Sequence, residues 1–270
     1  MQLLDKAGFL MERQSLYGET LLNIQPWPAC IVAVVTAVLI AFVLGIPVLK
    51  LKGHYLAMAT LGFGIIIYRL GLATEFFGEA DGISGVPAFP LLPGVSVNGD
   101  FSARILNYYI AWGLLLLGLS LLINLIHSRV GRALRSIHGS EEAAEAMGVN
   151  TARFKLYTFV ISAAFAAIAG SFLTHYNGGI GPSEASVMKS VRYVAIVAVG
   201  GMANLWGALI MGVVLNFMSL RGMFGSYDDA VFGLILIVIM LFAPQGILRL
   251  KLFGGIRKLF VSGKTKETAP

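Results

Sequence analysis

The residues able to do chemistry in this 270-residue chain are few and scattered. The densest group is "GSEEAAEAMGVN", Gly139 to Asn150, where Glu141, Glu142 and Glu145 place three of the chain's fourteen acidic residues within five positions. Carboxylates so close together suit acid–base work only with a reacting partner in hydrogen-bond reach, and no nucleophile–base arrangement accompanies them. Metal binding needs His, Cys or carboxylate ligands at characteristic spacing, which His127, His138, Cys30 and the glutamates lack. "SGKT", Ser262 to Thr265, resembles the end of a phosphate-binding loop. That motif requires a glycine five residues before Gly263, between a strand and a helix, and the residue there is Lys258. The sequence therefore predicts no nucleotide or metal site of its own.

The island reads instead as a surface. Ser140 is placed to cap a helix, with Glu141 and Glu142 in the first turn where the helix dipole favours negative charge. Ala143, Ala144, Ala146 and Met147 are helix formers, and Gly148 suits the position just past the end. The expected helix has about two turns, too few to be stable alone in water. It must lie against something, either its own chain as an ordinary loop helix or a partner.

The elements around it are apolar. Mean hydropathy is +0.81, hydrophobic residues make up 57% and charged residues 13%, against about 25% charged in a soluble domain. Too few polar residues remain to cover a soluble core of this size. Stretches of roughly 20 apolar residues, enough to cross a bilayer, occur at Trp27–Leu49, His54–Thr74, Ile105–Ile126, Lys155–Tyr176 and Ala230–Leu248. Met1 to Gln25 has no uninterrupted apolar core and does not read as a signal peptide. The single cysteine, Cys30, lies in an apolar run, excludes an intrachain disulfide and reads as a small buried hydrophobe.

Basic residues set the expected orientation. Residues 127–155 carry Arg129, Arg132, Arg135, Arg153 and Lys155, the tail carries six more, and Lys50 and Lys52 form a third basic turn. These places hold 13 of the 20 basic residues and four of the 14 acidic ones. Lys and Arg stay on the cytoplasmic side in short loops, so the net charge of +6 marks topology and no nucleic-acid partner is required. This orientation leaves residues 191–219 beginning and ending outside, although 29 residues are too few for two full spans. Their middle is "GGMANLWG", Gly200 to Gly207. Gly200, Gly201 and Asn204 suggest a broken or re-entrant pair of half-helices of the kind that lines transport paths; a single tilted helix packed through its glycines is the alternative. The expected architecture is all-α: a polytopic transmembrane bundle of five full spans plus this broken pair.

Arg69, toward the outer end of the second span, is a candidate for the transport path, with snorkelling to headgroups or pairing with Glu75 as the plainer reading. His54 and Tyr55 suit anchoring at the inner interface. Asp81, Gly82, Ser84 and Gly85 form an outside turn cluster, with contact to a binding protein as the further possibility.

Larger blocks carry a resemblance. "LKLKGHYLAMATLGFG" (Leu49–Gly64), "DGISGVP" (Asp81–Pro87), the stretch from Ser128 to Gly170 that contains E-A-A-x-x-x-G (Glu142, Ala143, Ala144, Gly148), "VGGMANLWGALIMG" (Val199–Gly212) and "LFAPQGIL" (Leu241–Leu248) follow one another as in the LivM-type permeases, subunits of branched-chain amino acid ABC importers. The match covers nearly everything from about Pro26 to Leu250. It differs in the segment before Trp27, where the family carries further spans and a glycine-rich stretch. Here residues 1–25 are short, charged and divergent, as expected of a truncated, misassigned or divergent start. Ile65 stands where the family often has an acid, and the distal part of the wider coupling motif is not recognisable after Gly148.

The resemblance implies a permease domain over residues 26–250, a coupling loop at 127–154 and a basic cytoplasmic tail at 251–270 in a multi-pass protein of the bacterial inner membrane. Glu141, Glu142, Ala143, Ala144 and Gly148 would then dock on an ATPase. Two ABC ATPase subunits using ATP and Mg, a second homologous permease, a periplasmic substrate-binding protein and membrane lipid are the implied partners, with no cofactor on this chain. Urea, short amides or another small solute remain alternative cargoes. A secondary transporter or channel is the alternative class, weakened because no acid lies well inside the expected spans.

Overall fold

The computed structural model describes residues 10–14, 20–51, 54–92, 94–201, 204–223 and 225–242. The basic tail, most of the block from Leu241 to Leu248, "SGKT" and the first nine residues lie outside the described residues. Two compact units divide the chain, residues 1–182 and 183–270.

In the first unit, strands β1 (Leu10–Gln14) and β2 (Thr20–Ile24) pair antiparallel. Helix α1 runs over Pro26–Val48, opened by a proline whose missing N–H costs nothing in a first turn. Helices α2 (His54–Ala73) and α3 (Arg104–His127) follow, then two short helices, α4 (Arg129–Gly139) and α5 (Glu141–Ala146), and the long α6 (Thr151–Asn177). α1, α3 and α6 are long and apolar enough to cross a membrane; the 23 residues of α1 extend about 35 Å at 1.5 Å per residue. Three of the five expected full spans thus have spanning length. The apolar part of α2 is shorter, Met58–Ala73, and the last expected span is described only as far as Phe242.

Ile31, Val32, Leu39 and Val43 of α1 are more exposed than buried. The most apolar windows of α3 and α6 bury 0% of their residues within the chain. Apolar surface on that scale is stable only in contact with lipid or partner chains.

Beside the β1–β2 pair, two short ladders depart from a strictly all-α architecture. β3 (Ile83–Ser84) pairs with β6 (Gly179–Ile180), and β4 (Phe89–Leu92) with β5 (Val95–Val97), both antiparallel. They are made from the segment between α2 and α3 and the exit from α6. This hairpin end also receives the start of α1, because Trp27 Nε1 donates to the Pro90 carbonyl at 2.7 Å. Asn107, 2% exposed, fixes the start of α3 by donating to the Asn98 carbonyl at 2.7 Å. The opposite end gathers the exit of α3, both short helices and the start of α6. The first unit therefore places the ends of α1, α3 and α6 as alternating passage requires.

The second unit comprises α7 (Val187–Gly200), α8 (Leu205–Leu220) and α9 (Asp228–Phe242). Ala195, Ile196, Val199, Leu215, Phe232 and Ile239 form its core. The apolar stretch 191–219 is two helices, as its glycines suggest, rather than one tilted helix. Their 14 and 16 residues give lengths of about 21 and 24 Å, short of the roughly 30 Å hydrocarbon layer.

Candidate functional site

The island is a capped helix followed by a glycine turn. Ser140 Oγ accepts from Ala143 N at 3.2 Å, satisfying one of the donors a helix start leaves open. The chain leaves α5 through Gly148 at φ +81°, a conformation that favours glycine. Gly148 N donates to Glu145 O and Val149 N to Ala144 O, closing the helix end. Asn150 then caps α6, accepting from Arg153 N at 3.1 Å.

Side chains fasten α5 to α6. Lys155 Nζ meets Glu141 Oε1 at 2.5 Å. Thr151, 3% exposed, donates to Glu145 Oε1 at 2.6 Å. With both partners of the ion pair more than two-thirds buried, solvent screens it less than an open surface pair.

Ala144 packs against its own chain. Grouped with Ala143 as a contact residue, it is 3% exposed within its own chain. Its small side chain lets α5 lie close to its neighbours, as expected for a helix too short to stand alone. The outward face of the island is made by Glu142, Ala143, Ala146 and Met147, the last 84% exposed.

α4 lies within the basic segment 127–155. Ser128 caps it, accepting from Gly131 N at 3.2 Å. Arg129, Arg132 and Arg135 recur every three residues on its exposed side, while Val130, Leu134 and Ile137 are half-buried. Arg135 Nη2 donates to Ile126 O at 3.0 Å and Arg132 Nη1 to His127 O at 3.4 Å. These arginines satisfy carbonyls left open at the end of α3, where the dipole favours positive charge.

The transport-path candidates belong to both compact units. Gly200, Gly201 and Asn204 meet in the turn between α7 and α8. A Cβ added to Gly207 would stand 2.0 Å from Gly200 O, and one added to Gly200 would stand 2.5 Å from Gly207 C. Only glycine permits this backbone contact. Asn204 caps α8, its Oδ1 accepting from Gly207 N at 3.2 Å. Arg69 lies in the other compact unit, exposed on α2, and the expected pairing with Glu75 is not among the ion pairs of the described residues.

Charges missed in the sequence hold the second unit together. Arg192 Nη2 lies 3.6 Å from Asp228 Oδ2, Ser219 Oγ donates to that same oxygen at 2.5 Å, and the Arg192 guanidinium stands 4.8 Å from the Phe232 ring centre. This cluster joins α7, α8 and α9. An arginine inside an apolar run was the available signal.

Helices with apolar outer faces, a short helix turned back on a spanning-length one and a broken apolar pair define a polytopic helical membrane protein. Residues 7–241 match the family described as branched-chain amino acid transport system / permease component. The chain belongs to this family. It is 34% identical to the high-affinity branched-chain amino acid transport system permease protein LivM of Escherichia coli (strain K12), over 86% of this chain and 60% of that protein. Salmonella typhimurium LivM is also 34% identical, over 82% of this chain and 57% of its own length. The LivH permease of that organism is 34% identical over 57% of this chain and 51% of its own length. The chain thus spans about six-tenths of the length of the LivM relatives it matches. No solved structure matches the chain significantly.

Proposed function

We propose that the chain is the membrane-spanning permease subunit of an ATP-driven importer that moves branched-chain amino acids across the bacterial inner membrane by alternating access. The observation that carries this reading is α5, anchored to spanning-length α6 through Glu141 and Lys155 while Ala143 and Met147 face outward. A partner pressing on that face has a direct mechanical connection to a membrane helix. α6 has 27 residues and extends about 40 Å, so a displacement at Lys155 is carried to its far end.

In this reading two ATPase subunits using ATP and Mg dock on α5, with Glu142, Ala143 and Gly148 presenting the contact while Glu141 and Ala144 hold the helix in place. The α7–α8 hairpin with Gly200, Gly201 and Asn204 is re-entrant and borders the path. Residues 26–250 form the permease domain, 127–154 the cytoplasmic coupling loop and 251–270 a cytoplasmic tail. The similarity to both LivM and LivH supports a second homologous permease beside this one, and a periplasmic binding protein supplies the cargo. Uptake of labelled leucine and labelled urea by vesicles holding the complete assembly tests the reading. ATP-dependent leucine uptake is expected; uptake of urea alone changes the cargo, and uptake without ATP contradicts the class.

A further inference from the structure

In the first compact unit, α1 and α6 meet closely at one end and part at the other. Near the island, a Cβ added to Gly45 would stand 2.6 Å from Leu156 Cδ1 and 3.2 Å from Phe159 Cδ1. At the hairpin end a cleft of about 440 Å³ opens between the same two helices, a size typical of small-molecule sites. Ala29 and Cys30, with Ala33 one helical turn on, line one side; Gly170 and Ser171 line the other.

The cleft holds a polar group fixed in one orientation. His175 is 8% exposed and lines it. Its Nδ1 lies 2.7 Å from the Pro87 carbonyl oxygen, which can only accept, so Nδ1 carries a proton. The Phe89 ring stands edge-on at 5.1 Å and Trp27 supports Phe89 at 5.0 Å. Nε2 of the neutral ring is then an acceptor. The neighbouring Thr174 hydroxyl is occupied by Gly170 O at 2.8 Å.

We infer that this cleft binds a small aliphatic amino acid, its side chain against the alanine walls and its charged end at Ser171 and His175. The inference rests on the permease reading and gives it a cargo site. Small wall residues leave room for a branched apolar group, the Nε2 lone pair accepts from an ammonium, and a serine hydroxyl donates to a carboxylate. A lipid chain would fill the walls without using Ser171 or His175. The site also sits on the helix that α5 grips through Lys155, so movement of α6 reaches it.

Cys30, the single cysteine of the sequence, reports on occupancy. Vesicles holding the assembled transporter and its binding protein are treated with a small thiol reagent, and modification of the Cys30 peptide is followed by mass spectrometry. Saturating leucine slows modification severalfold and lysine does not. His175→Gln raises the half-protecting leucine concentration by about tenfold, the equivalent of losing one hydrogen bond to a charged group. Ser171→Ala shifts it in the same direction and guards against a folding defect in the first variant. Unchanged Cys30 modification in vesicles that take up leucine overturns the site alone. So does protection by a short-chain phospholipid but not by leucine, or the same half-protecting concentration in both variants. Failure of uptake in the complete assembly overturns the permease reading and the site with it.

Discussion

Glu141 and Lys155 meet at 2.5 Å across the glycine turn that separates α5 from α6. This contact converts a six-residue helix, too short to persist alone, into a fixed lever on a long one. Lys155→Ala is expected to reduce cargo-stimulated ATP hydrolysis severalfold in the assembled transporter while lowering stability by about 1 kcal/mol or less, since the pair is partly solvated. The exchange Glu141→Lys with Lys155→Glu restores part of the stimulation. ATPase assays beside thermal unfolding in detergent separate coupling from folding.

Ser140 supplies the island's N-cap. Ser140→Ala leaves a helix donor open and costs about 1 kcal/mol, whereas Ser140→Asp retains the cap. Hydrogen exchange at Ala143 and its neighbours checks this, with faster exchange in the alanine variant only.

Gly200 and Gly207 touch through backbone, with no space for a side chain on either. Gly207→Ala forces α7 and α8 apart and destabilises the second unit by roughly 1–3 kcal/mol, the usual scale of overpacking. The denaturation midpoint of the purified protein reads this, and Gly222→Ala provides no control because its φ is +68°. Gly233→Ala, in a helix with open space beside it, is the suitable comparison and is expected to be nearly silent.

Arg192 and Asp228 tie α7 to α9. Breaking a fully buried pair costs roughly 3–5 kcal/mol, and this partly exposed one is expected to cost a fraction of that. Arg192→Met destabilises more than Arg192→Met combined with Asp228→Leu, because the double change leaves no lone charge in apolar surroundings. A double-mutant cycle on thermal stability measures the difference.

The long elements were legible because lipid imposes one rule on every residue of a span: α1, α3 and α6 show it as unbroken apolar length. The ends of α5 were also legible, since Ser140 and Gly148 do local work that does not depend on a neighbour. The burial of Ala144 was not legible, because a small residue serves equally well facing a partner or its own chain, and only the packing of α4, α5 and α6 decides. α4 is marked only by its arginines, which report topology as readily as structure, although the spacing Arg129, Arg132, Arg135 describes a helix face. His175 and Phe89 come together from positions 86 residues apart, a relation set by hairpin pairing that no local pattern records.

The most direct test of the central claim is site-specific crosslinking from the outward face of α5 in the assembled complex. A photoreactive residue at Ala143 or Met147 is expected to form an adduct with an ATPase subunit that changes in yield on ATP binding, while one at the inward position Ala144 gives little or none. Stable assembly with no ATPase adduct from either outward position would contradict the account.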